Sequence, residues 1–271
     1  MLVQELIEFA QKTYPNSLYL SKKYESFTYN LSVYLMNKKN LENALWLIEL
    51  SLNLSELLQR TKDQLIPRKI LHLQCLSALG RHSECAEIAR ENICSDSTID
   101  VKHLETLVML FSMASFKRNP QNHEFLIQSS EISEEKLLKL VNLEYKSIFL
   151  YCRDNLMDDI QQKFLDSVST IRRRLPLQTA LNYSVKNLQL SRKLGKRDTQ
   201  DKCNALIDYI NSLDMQDSAI SNYLAISTCE LFLWKAEQKE IDLKLLQNAF
   251  KVWNDIFVEL PVIKACTPFL I

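Results

Sequence analysis

Glycine is nearly absent from this sequence: Gly80 and Gly195 are the only two in 271 residues. Phosphate loops, tight βα turns and primed hairpins need glycine for positive φ and close backbone approach. Doubly wound α/β folds, barrels and sandwiches are therefore excluded. Alternation of apolar and polar residues at a spacing of two is also nearly missing, whereas spacings of three and four recur along the chain, which predicts an all-α protein. Charge of one sign is not in excess either. Lys plus Arg and Asp plus Glu both number 33 and the pI is about 6.9, so no global field draws the chain to nucleic acid or anionic lipid. No run approaches the ~20 apolar residues of a membrane span. The start, MLVQELIEFAQK, mixes acidic residues with apolar ones and lacks the basic and apolar regions of a secretory leader.

What is present is ordinary globular material, 46% hydrophobic and 24% charged. A compact fold of this mass leaves ~12,000 Å² accessible out of ~46,000 Å² for the unfolded chain, so a core forms without metal or disulfide staples. The seven cysteines (75, 85, 94, 152, 203, 229 and 266) are odd in number and lie inside apolar helical patterns. That is the usage of buried, reduced thiols in a soluble intracellular protein. The Asn-x-Ser sequons at Asn30, Asn53 and Asn182 are then expected to be unglycosylated.

The periodicity predicts helices near 2–13, 18–38, 41–60, 67–79, 82–93, 100–117, 121–131, 134–153, 156–173, 177–194, 199–212, 216–237 and 242–258. Breaks fall at Pro15, Asn40, Pro67, Gly80, Ser95-Asp96-Ser97, Pro120, Pro176, Gly195 and Pro261. The connections are short, which makes sequential helices antiparallel neighbours. No linker divides the chain, so a single domain over 1–271 is expected: an irregular α-solenoid of about six helix pairs. The apolar end, VELPVIKACTPFLI, lacks the polar outer face of a terminal cap. It is expected to fold back, to continue into further chain, or to be covered by a partner.

The stretch Thr28–Leu54, TYNLSVYLMNKKNLENALWLIELSLNL, aligns without a gap to the tetratricopeptide pattern and resembles that repeat. Leu31 and Ser32 take the Leu-Gly pair, Leu35 the large position, Leu41 the aromatic slot and Ala44 the small slot, with Ile48 and Ser51 beyond. Lys39-Asn40 makes the turn where Gly-Asp is commoner. Further on, ALGRHSECAEIAREN reads as the same hinge and second helix, with Gly80 in the turn, His82 in the aromatic slot and Cys85 in the small slot. The clearest repeats are thus 25–58 and 66–99. The segments Ile160, Phe164, Val168 and Ala249, Trp253, Phe257 look like second helices of later pairs.

His72/Cys75 and His82/Cys85 together offer four soft ligands for a tetrahedral zinc. Helical faces alone place such i,i+3 pairs side by side, and the repeat already accounts for these positions. Core packing is the expected role, with no metal and no cofactor.

No phosphate loop, dinucleotide fingerprint, His-Glu-x-x-His or nucleophile elbow occurs. Asp154, Asp158, Asp159 and Glu144 read as acids at helix starts rather than a catalytic cluster. A non-enzyme is expected. Two basic groups, Arg172-Arg173-Arg174 and Arg192, Lys193, Lys196, Arg197, read first as cations complementing helix C-termini. A patch for an acidic partner is the alternative, and direct DNA binding is disfavoured. The first helices of the repeats should line a concave groove through Ser26, Tyr29, Val33 and Met36, then Ile70, Gln74 and Ser77. An aromatic, a methionine and branched side chains make an adaptable groove for a partner helix or extended peptide. Asn30 has no matching lysines for a peptide clamp.

The run YNLSVYLMNKKNLENALWLIELSLNL, followed by RKILHLQCLSALGRHSECAEIAREN, also resembles the meiotic sporulation and synapsis-initiation (zipper) family of tetratricopeptide proteins. The likeness lies in Tyr29-Asn30-Leu31-Ser32-Val33 and in Ala44-Leu45-Trp46-Leu47; Ser32 stands where the family has glycine. It implies a non-catalytic scaffold in the nucleus, on meiotic chromosomes, that binds other synapsis and crossover proteins. The alternative is a general tetratricopeptide adaptor in a cytoplasmic or nuclear complex serving trafficking, degradation or cohesin loading.

Overall fold

The computed structural model describes residues 18–95, 99–119, 124–128, 132–151, 158–213, 218–240 and 242–258. Among them every regular element is helical. In chain order these are α1 (Leu18–Asn37), α2 (Leu41–Leu57), α3 (Lys62–Ala78), α4 (His82–Ser95), α5 (Val101–Arg118), α6 (Glu134–Tyr151), α7 (Asp158–Thr170), α8 (Leu177–Lys193), α9 (Thr199–Asn211), α10 (Ser218–Glu237) and α11 (Leu243–Val258). Single 3-10 turns stand at Leu126–Gln128 and Arg172–Arg174. The expected helix at 2–13, the apolar end at 259–271, and the side chains of Trp253 and Phe257 lie outside the described residues.

The chain groups into two compact units, 1–131 and 132–271. Within each, a helix packs on its sequence neighbour, and α1 also touches α3, α3 touches α5 and α8 touches α10. Packing on the next and next-but-one helix is the pattern of an α-solenoid. In the first unit the buried residues of α2 are Ala44, Leu45, Leu47, Ile48, Ser51, Leu54 and Ser55, a mainly apolar face built on three and four spacing. Ser32 and Ala44 are both fully buried, the small residues that let α1 and α2 approach. In the second unit Leu181, Val185 and Leu188 of α8 meet Cys203, Leu206 and Ile210 of α9 and Ile220 and Leu231 of α10.

Among the described residues five helices end in one way. Lys39 (φ 60), Gln59 (φ 50), Gly80 (φ 77), Gly195 (φ 62) and Lys239 (φ 66) each adopt the left-handed conformation. The following N–H then bonds back to the carbonyl five residues earlier: Asn40 to Leu35 at 2.9 Å, Arg60 to Ser55 at 3.0 Å, Arg81 to Leu76 at 2.9 Å, Lys196 to Ser191 at 3.0 Å and Glu240 to Lys235 at 2.8 Å. This is the Schellman cap, which satisfies the last carbonyls of a helix. Three of the five use a non-glycine residue, for which the left-handed conformation is strained. Replacing Lys39, Gln59 or Lys239 with glycine is expected to raise stability by up to about 1 kcal/mol each. Gly80→Ala, where a Cβ would meet nothing within 4 Å, is expected to cost about 1 kcal/mol through conformation alone. Thermal unfolding of the four variants checks this.

Two expected boundaries differ. Helix α3 begins at Lys62 rather than near Pro67, which lies inside it. A proline this close to the helix start removes one bond, that to the Asp63 carbonyl, while Ile66 before it is buried and holds the turn. The expected helix at 121–131 is, among its described residues, a 3-10 turn following Phe125. Phe125, Leu126 and Ile127 are all buried, and three consecutive residues cannot share one face of an α-helix.

Candidate functional site

Two of the predicted groove residues, Tyr29 and Met36, lie where α1 meets α3, first helices of successive pairs. Tyr29 lies under the Arg68 guanidinium, whose Cζ is 4.7 Å from the ring centroid, a cation–π contact. Near the other end of α1 the Cys75 thiol donates to Met36 Sδ at 3.7 Å. Ser26, Val33, Ile70 and Gln74 are half-buried. Ser77 is buried and contributes no groove surface. Its carbonyl accepts from Gly80 at 3.2 Å, so it belongs to the helix end. Phe27 and Tyr34, both 56% exposed, lie two positions from Tyr29 and Met36 and so on the face of α1 turned away from the seam.

Beneath the seam lies a charge network with no local signature in the sequence. Glu25 is fully buried and ion-paired to Arg68 on α3 and to Arg60, the latter at 2.9 Å. The Ser55 hydroxyl donates to Glu25 Oε1 at 2.8 Å. Thr28 and Ser51 donate to its backbone carbonyl at 2.9 and 3.3 Å. Burial alone would raise the Glu25 pKa, but the Ser55 hydroxyl and the two guanidiniums outweigh it and hold the carboxyl below its ordinary value. One carboxylate thus ties α1, α2 and α3 together just below the groove.

The histidine and cysteine pairs point apart. Cys75 faces Met36, Cys85 donates to the Leu73 carbonyl at 3.4 Å, and His72 Nε2 is 3.5 Å from Glu49 on α2. Burial pushes both thiols up to about 11, which suppresses the thiolate that a metal needs. His72 is lowered, chiefly by burial. Among the described residues no three His, Cys, Asp or Glu side chains group to hold a metal ion.

The basic residues divide. Arg192 pairs with Glu230 at 2.7 Å and Glu237 at 2.5 Å, Lys193 with Asp158 at 2.9 Å and Lys196 with Asp159 at 2.8 Å. These cations are neutralised within their own unit, and the same pairs account for Asp158 and Asp159. Arg174 donates to the Ile132 carbonyl at 2.6 Å, Arg172 stacks on Tyr209 with Cζ 4.6 Å from the centroid, and Arg173 and Arg197 are exposed. The second group is thus largely paired with acids, and the first is not.

In the second unit Tyr145 of α6 and Tyr183 of α8 meet edge-on, centroids 5.3 Å apart. The Lys186 ammonium lies 4.6 and 5.0 Å from the two rings, and burial lowers its pKa. Glu144, beside Tyr145, is fully buried. Among the described residues no helix is long and apolar enough to cross a membrane. Comparison of the chain with protein-family models, curated proteins and solved structures finds no match.

Proposed function

We propose that this protein is a non-catalytic interaction scaffold that acts in meiotic chromosome synapsis and crossover formation, in the nucleus. The observation that carries the scaffold reading is the α1–α3 seam. Two successive first helices stand side by side, with Tyr29 and Met36 on one against Arg68 and Cys75 on the other. Such a seam offers a partner helix aromatic, thioether and guanidinium contacts on a stiff support. The meiotic assignment rests on the likeness of residues 29–47 to the zipper family.

The test is affinity purification of the tagged chain from dividing and from meiotic cells, with mass spectrometry of what accompanies it. A Tyr29→Glu/Met36→Glu variant is run in parallel. Chromosome-axis or crossover proteins are expected only in meiosis, and are expected to vanish with the double variant. The same complex in both cell types would point instead to the general adaptor. Partners retained by the variant would overturn the seam.

A further inference from the structure

A cleft of about 170 Å³ opens among α7, the Arg172–Arg174 turn, α8 and α9. Its polar lining is Asp166, Ser169, Arg172, Ser184, Asn187 and Lys202. We propose that this cleft docks an acidic segment of a partner protein, taking one aspartate or glutamate carboxylate beside Arg172 and Lys202.

Charge carries the argument. Among the described residues no carboxylate pairs with Arg172 or with the exposed Arg173 beside it, whereas Arg192, Lys193 and Lys196 all have acids in contact. Arg172 rests on the Tyr209 ring, which steadies a planar fork suited to bidentate carboxylate binding. Lys202 is held by Asp166 at 2.8 Å and Asp198 at 3.0 Å, so its ammonium is fixed in place with a third proton still to give. Asn187 donates to Asp166 at 3.1 Å and to Ser169 at 3.0 Å, and with Gln162, which donates to Asp166 at 3.1 Å, it keeps that wall in position. Counting Asp198, which shares Lys202, and the exposed Arg173 beside Arg172, three cations stand against two carboxylates, Asp166 and Asp198, and a single incoming carboxylate cancels the surplus. A phosphate, at about −1.5 to −2, overshoots it and faces Asp166. Nucleic acid needs a track of phosphate contacts, and a chain of zero net charge whose neighbouring Arg192, Lys193, Lys196 and Lys202 are already paired with acids does not provide one. The site lies in the second unit, so neither it nor its test depends on the α1–α3 seam.

The experiment is fluorescence anisotropy of a fluorescein-labelled oligoglutamate peptide with the full chain at low salt, with single-stranded DNA and inorganic phosphate as competitors. Saturable binding is expected, weakened about tenfold or more by Arg172→Gln. Ala205→Phe is expected to weaken it as much, because it fills the cleft from an exposed position of α9 without changing charge. Lys193→Gln, which removes a paired lysine outside the cleft, is expected to leave it unchanged. The proposal is overturned by absence of saturable binding, by equal loss in Lys193→Gln, or by indifference to Ala205→Phe. DNA or phosphate displacing the peptide more effectively than unlabelled oligoglutamate would also overturn it. Should Arg172→Gln lose its helical circular dichroism, Ala205→Phe decides alone.

Discussion

Replacing Glu25 with alanine is expected to lower the unfolding free energy by about 3 kcal/mol in urea denaturation. Its carboxylate is fully buried, while the Arg60 and Arg68 side chains retain 19% and 12% exposure. Removing it strands two guanidiniums and the Ser55 hydroxyl. The arginines rehydrate in part, which puts the cost at the low end for breaking a buried pair. Glu25→Gln keeps the volume and one acceptor and is expected to lose less. The pH dependence has a definite sign. The folded carboxyl lies below its ordinary value of 4.5, so the network's contribution is present in full above about pH 4.5 and is lost as pH falls through the lower folded value. The wild type should lose stability on acidification below that point more steeply than Glu25→Gln. Equal slopes would show that Glu25 is not held ionised by its partners.

Nothing near Glu25 in the sequence announces this network. Its partners Ser55 and Arg60 lie 30 and 35 residues away, beyond any helical spacing, and one glutamate in a chain rich in glutamate carries no mark. Ser32, Ser51 and Ser55 are fully buried although an apolar–polar pattern places serine outside. Each serine hydroxyl donates to a carbonyl of its own helix or, for Ser51 and Ser55, to Glu25, which is what lets them sit in a core.

The helices themselves were legible because their apolar spacing is strong and their ends are chemically marked where glycine stands, at Gly80 and Gly195. Gln59 and Lys239 make the same cap unannounced. The cap bonds run between backbone groups and tolerate any side chain willing to bear the strain. Pro67 misled in the opposite direction, since one bond lost in the second turn does not end a helix whose flanking Ile66 and Leu71 are buried. Helical spacing set Tyr29 with Met36 and Ile70 with Gln74 on two helices, but it did not show the contacts of Tyr29 with Arg68 and of Met36 with Cys75. That Arg68 covers Tyr29 follows from how α3 is anchored to Glu25, a tertiary fact. The basic groups looked alike in sequence, and pairing across 35 to 45 residues separated Arg192, Lys193 and Lys196 from Arg172.

Phe164→Ala is expected to cost about 4 kcal/mol. Phe164 is fully buried on α7, and its ring centre is 5.9 Å from that of Tyr145 on α6. Tyr145 in turn meets Tyr183 edge-on, and the Tyr183 hydroxyl donates to Asn142 Oδ1 at 2.9 Å. Truncation therefore opens a cavity under a chain of three rings that links α6, α7 and α8. It also loosens the platform on which Lys186 rests. Tyr145→Leu keeps most of the apolar volume and should cost less. A double-mutant cycle between positions 145 and 164 is expected to show a coupling of about 1 kcal/mol, the share owed to ring–ring geometry beyond area burial. A cost below about 2 kcal/mol for Phe164→Ala, with no coupling, would mean that neighbouring aliphatic side chains collapse into the space. Helices α6 and α8 would then be held by general apolar packing, and the aromatic chain would only ride on it.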